Sequence, residues 1–121
     1  MENDYQKLYD DFIAKYNKTE TTPSEVGELL VRISAMYPNF NTAMSKAERA
    51  YAIVCRDEVC ANDELTGKPI SATKSEKIAE ASEEATAFKT ARTHIQNLEV
   101  LMGSLKFLQK ALETEYINSG I

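Results

Sequence analysis

The chain has no tryptophan, one histidine, two cysteines, three prolines and four glycines in 121 residues. Each scarcity removes a class of protein. Two cysteines and one histidine fall short of a structural zinc set. Cys55 and Cys60 stand five apart on an expected helix, so they point to different faces and do not bridge each other. Reduced thiols in a cytoplasmic protein are the reading that fits. His94 has no nucleophile or orienting partner recognisable in the sequence, and at its position a surface or boundary role is expected. No catalytic residue, metal ligand or cofactor site is therefore assigned. No stretch approaches the roughly 18 apolar residues of a membrane span, and no signal-peptide pattern is present, so the expected location is the cytoplasm and no membrane partner is expected.

Positive charge is short as well. Lys and Arg number 14 against 19 Asp and Glu, a net charge of −5, which argues against a general nucleic-acid binder. Lys68, Lys74 and Lys77 lie close in sequence but are diluted by Glu64, Glu76 and Glu80. Thr66-Gly67-Lys68-Pro69 lacks the earlier glycine and the Ser or Thr after the lysine that a phosphate loop needs.

What the chain has in quantity is apolar residues at alternating steps of three and four, the repeat of a helix with one buried face. Tyr5, Leu8, Tyr9, Phe12, Ile13 and Tyr16 place a first helix over 4–17, with Asn3 and Gln6 as a weak capping box. Thr22-Pro23-Ser24-Glu25 is a strong helix start, with Pro23 at the first helical position. The second helix is expected over 23–37, with Pro38 as its stop. After a turn at Asn39–Thr42, a third helix is expected over 42–61, and 62–73 reads as a loop. No segment alternates as a strand does.

The last helix, expected over 74–118 and opened by Thr73 with Glu76, dominates the reading. About 45 residues of helix make a rod of roughly 67 Å, against a diameter near 35 Å for a compact chain of this length. Ser82-Glu83-Glu84 is itself a helix-start pattern, so the reading admits a break near Ala81. With Phe88 at heptad position a, Ala91, Ile95, Leu98, Met102, Leu105, Gln109, Leu112 and Tyr116 fall at the alternating a and d positions of a helix–helix seam, and Gln109 is its one polar member. Leu101 and Leu108 widen the stripe at g, and Val100 and Phe107 widen it further at f. Arg92, Glu99, Lys106 and Glu113 alternate in sign at e. A stripe this wide is buried on more than one side, either by its own domain or by a second chain. Gly103-Ser104, inside the run, suggests close approach of a neighbouring helix. The interaction residues expected from the seam are Phe88, Ile95, Leu98, Leu101, Met102, Leu105, Phe107, Leu108 and Leu112.

Two chemistries were weighed against an interaction role. Glu25 and Glu28, with Glu48, Asp57, Glu58 and Asp63 later, are similar in spacing to the magnesium-binding carboxylates of helical nucleotide pyrophosphohydrolases. The doubled glutamate of the first motif and the Glu-x-x-Asp of the third helix are missing. From Ala85 to Tyr116, the residues Ala91-Arg92, Ile95, Asn97-Leu98-Glu99, Leu101, Leu105-Lys106, Leu108 and Leu112-Glu113 resemble the C-terminal helix of small acidic accessory proteins encoded by tailed bacteriophages and prophages. The resemblance covers about a quarter of the chain, implies a setting among replication and recombination genes, and supplies no functional residue.

The expectation is one all-α domain spanning 1–121, a long C-terminal helix with three shorter helices packed along it. Its expected role is a non-enzymatic interaction protein without cofactor, a homo-oligomer acting on a protein partner. A single-stranded nucleic-acid accessory factor is the alternative, and a metal-dependent nucleotide hydrolase the least favoured.

Overall fold

The computed structural model describes residues 4–17, 20–62 and 66–119. They form four helices: α1 (Asp4–Tyr16), α2 (Pro23–Val59), α3 (Ala72–Glu80) and α4 (Glu83–Ser119). The fold is all-α, with the long C-terminal helix packed against others. Among the described residues the one extended pairing is an isolated antiparallel bridge, Asn62 with Pro69. Beside it Gly67 takes φ +67°, a left-handed conformation that costs glycine little.

Helix starts follow side-chain chemistry. The Thr22 hydroxyl accepts from the Glu25 backbone N–H at 3.2 Å, with Pro23 at the first helical position, as expected. Asn3, the expected cap of α1, lies outside the described residues. Ser71, not Thr73, caps α3: its hydroxyl accepts from the Lys74 N–H at 3.2 Å, so the helix begins before the expected residue 74. The break that the sequence admitted near Ala81 is present. There the Ser82 hydroxyl donates to the Ala79 carbonyl at 2.6 Å and accepts from the Ala85 N–H at 3.1 Å. One side chain thus closes α3 and opens α4, and Glu83 and Glu84 place negative charge at the positive end of α4.

The largest departure from the sequence reading is α2. Two helices, 23–37 and 42–61, were expected on either side of a turn at 39–42; the structure has one helix of 37 residues with Pro38 inside it. Proline has no N–H for the carbonyl four residues back, here Ser34, and inside a helix costs about 3 kcal/mol. The covered residues keep their phase across it: Val26, Leu29, Ile33, Met36, Phe40, Met44, Ala47, Tyr51, Val54 and Glu58 follow one another at steps of three and four, and Pro38 lies on the exposed side. α2 is therefore as long as α4, and the expected set of three shorter helices reduces to α1 and α3.

Contacts gather the chain into two compact units: Met1–Asn39 with His94–Ile121, and Phe40–Thr93. The first unit holds the large buried side chains, Tyr5, Val26, Leu29, Ile33, Ile95, Leu98, Leu105 and Leu112. In it α4 runs antiparallel to α2. The Tyr37 hydroxyl donates to Glu99 at 3.1 Å, the Ser34 hydroxyl points at the Met102 sulfur at 3.3 Å, and the Gln109 amide donates to the Pro23 carbonyl at 3.4 Å. The second unit buries the small side chains Ser75, Ala79 and Ala85, and its half-covered Tyr51 and Phe88 have ring centres 5.9 Å apart.

Replacing Pro38 by Ala restores a backbone donor on the exposed side of a helix already formed. Chemical denaturation of Pro38→Ala should show a gain of about 1–3 kcal/mol, the loss of proline's restraint on the unfolded chain reducing the full benefit. A loss of stability would show that the ring makes packing contacts worth more than the missing hydrogen bond.

Candidate functional site

α4 is a chain of seven-residue columns, and each column meets a different environment. Ile95, Leu98, Leu105 and Leu112, at a and d, are buried within the first unit. Leu101, Met102 and Leu108 are half-covered at its edge. Phe88 belongs to the second unit, where the Arg92 guanidinium lies 5.3 Å from its ring centre, a cation–π distance. Phe107 stands apart from the other expected seam residues, with 77% of its surface exposed. The nine residues singled out from the sequence therefore divide into four that the first unit buries, three at its edge, Phe88 in the second unit, and one exposed ring.

The exposed ring has neighbours outside the nine expected interaction residues. Val100, one heptad before it, is 66% exposed, and Ile117, on the adjoining column, is 76% exposed. With Gln96, Gly103, Lys110 and Thr114 they form a second set at steps of three and four, all exposed, on the side of α4 away from the core. Gly103 is part of it. A Cβ built there meets nothing within 4 Å, so the close approach expected at this glycine is not made within the described chain. Its signal was present in the sequence: Val100 and Phe107 recur at seven residues, but the a and d columns, being richer, absorbed the reading. The columns beside the second set differ in kind. One carries Glu99, Lys106 and Glu113; the other carries Asn97, Ser104 and Ala111 and no charge.

The close approach occurs instead at Gly27 of α2. A Cβ there would lie 2.5 Å from the Gln109 amide nitrogen, the polar member of the buried seam. The missing side chain leaves room for that amide to reach Pro23. Gln109 thus places its amide donor on the Pro23 carbonyl of α2's first turn and does not bury it unpaired.

Two other clusters bring polar side chains together. Tyr5, almost wholly buried, has its hydroxyl 2.6 Å from His94 Nδ1, and the Asn97 amide donates to the same oxygen at 3.5 Å. The phenol and the imidazole share this bond, with either the O–H or an Nδ1–H as donor according to the ring's tautomer. The rings meet edge to face at 5.7 Å. His94 thereby anchors α1 to α4. An open cleft of about 350 Å³ between α1 and α2 is lined by Leu8, Asp11, Phe12, Lys15, Glu25, Glu28, Leu29 and Arg32. Glu25 and Glu28, the first members of the carboxylate spacing, lie here, and Lys15 Nζ stands 3.5 Å from Glu25 Oε2. Carboxylates and cations are interleaved in this lining, and among the described residues no group of three or more His, Cys, Asp or Glu is gathered as a metal ion would need.

Two phenols titrate above their ordinary range. Tyr37 is raised chiefly by its hydrogen bond to the Glu99 carboxylate, and Tyr51 chiefly by a hydrogen bond with the Cys55 thiol. For Tyr37 the folded value lies above the unfolded one, so the tie supports the fold below the ordinary phenol pKa and is lost as pH rises through the raised value. The phenol signal assigned by difference from Tyr37→Phe should move back toward the free-tyrosine range in Glu99→Gln. An unmoved titration would show that the hydrogen bond is absent in solution.

Gly27→Ala should be close to neutral alone, because the helix gains about 1 kcal/mol of propensity while the Gln109 amide is displaced. In a Gln109→Ala background the same change should stabilise by about 1 kcal/mol. Equal effects in both backgrounds would break the proposed link between the two residues.

No helix of the described residues is long and apolar enough to cross a membrane. Compared with protein-family models, with curated proteins and with solved structures, the chain matches none.

Proposed function

We propose that this chain is a non-enzymatic interaction protein that associates with itself through its C-terminal helix. The observation that carries the reading is the second set of residues on α4. The helix satisfies its own fold with Ile95, Leu98, Leu105 and Leu112, yet presents Val100, Phe107 and Ile117 to solvent in helical register. Single exposed apolar residues are ordinary, whereas a register of them on one long helix is the pattern of a helix-binding face. Gly103 at its centre lowers helix stability by about 1 kcal/mol relative to alanine and supports no contact within its own chain, which fits a place kept thin for a neighbour.

Lys110 is the one cation of this set, and Lys106 on the column beside it is flanked by Glu99 and Glu113. That is the reverse of a surface made for phosphates, which gathers Lys and Arg, so the protein-contact reading is preferred to the single-stranded nucleic-acid one. The resemblance of Ala85–Tyr116 to phage and prophage accessory proteins agrees with such a role, and we retain a phage-encoded accessory protein as its setting.

Light scattering over about 1 to 100 μM tests the reading, a range that brackets a typical micromolar complex. The expected mass is at least twice the 13.6 kDa of one chain at the upper end. A single-chain mass throughout would refute self-association.

A further inference from the structure

The self-association proposed above leaves open which face is used and in what direction. We infer that the outer face of α4 pairs with the same face of a second copy, antiparallel, about a two-fold axis beside Gly103. The inference rests on the self-association reading and adds a surface, a direction and a register.

Direction follows from the flanking columns. In a parallel pair related by a two-fold axis, the charged flank of one helix faces the uncharged flank of the other, so Glu99 and Lys106 would look onto Asn97 and Ser104. In an antiparallel pair each flank faces its own copy with the direction reversed. The alternating signs then bring Glu99 against Lys106 of the second copy, and Lys106 against its Glu99, two reciprocal pairs of opposite charge. Glu99 uses one oxygen for Tyr37, and a carboxylate has acceptor capacity beyond that single bond.

Register follows from the apolar column independently. Reversing the direction places Val100 over Phe107 of the second copy and Gly103 nearest the axis, where the absence of a side chain lets two backbones approach. The midpoint of Glu99 and Lys106 and that of Val100 and Phe107 differ by one residue, about 1.5 Å along the helix. Charge and shape thus select the same centre.

The test uses the full chain, with sedimentation for mass and circular dichroism to confirm that each variant stays helical. Phe107→Glu, a change at an exposed position, should raise the dissociation constant by roughly 100-fold. Glu99→Lys and Lys106→Glu should each weaken association, and the combined reversal should restore it. In a Cys55→Ser/Cys60→Ser background, Val100→Cys and Phe107→Cys should form intermolecular disulfides when mixed and not when separate. A wild-type chain that stays monomeric overturns both this inference and the self-association it rests on. A wild-type oligomer unchanged by Phe107→Glu overturns the surface alone and leaves self-association standing. Cross-linking within each single variant, or failure of the double reversal to restore association, overturns the antiparallel arrangement.

Discussion

The first unit depends on the antiparallel contact between the beginning of α2 and the end of α4. Val26, Leu29 and Ile33 on one helix and Ile95, Leu98, Leu105 and Leu112 on the other supply most of its large buried surface. Each such side chain contributes about 1.5–3 kcal/mol on leaving water. That is enough to hold α2 helical up to a proline and, with the phase of its covered residues intact, beyond it. α1 is added to this pair through a buried phenol and a histidine ring, so its placement also depends on where α4 presents residues 94 to 97.

The second unit is built differently, and the difference has energetic weight. Its fully buried residues, among those described, are a serine and two alanines, whose side chains remove little apolar surface from water. Val59 remains largely outside, and Ile53 and Ile78 are only partly covered. A segment with few buried apolar contacts opens at lower free energy than its neighbours. Local fluctuation is therefore expected to concentrate between Phe40 and Thr93, while the apolar layers of the first unit persist.

The helical class, the start of α2 at Thr22-Pro23 and the buried columns of α4 were legible in the sequence because period and capping chemistry agree there. The continuity of α2 was misread because Pro38 was weighed as a stop, a local rule. The decisive signal was non-local: the steps from Ile33 through Phe40 and Met44 keep one phase, which a turn would reset. Thr73 with Glu76 has the form of a capping box, yet α3 starts earlier. Ser71, two residues earlier, caps without the reciprocal glutamate. Among the expected interaction residues, burial separates Phe107 from Leu105 although only two positions part them. Periodicity identifies faces and does not say which face the chain keeps for itself.

The amide of Gln109 above Gly27 has a consequence for how α2 and α4 slide. Leucine layers alone tolerate a shift of one helical turn, since each layer then meets another of like kind. Here such a shift carries the amide away from the Pro23 carbonyl and, in one direction, toward Leu30 or Val31, positions without the vacant space of a glycine. The one polar residue of the seam thus acts as a detent: it adds little to the strength of the pairing, but it makes one alignment of two long helices distinct from its near neighbours.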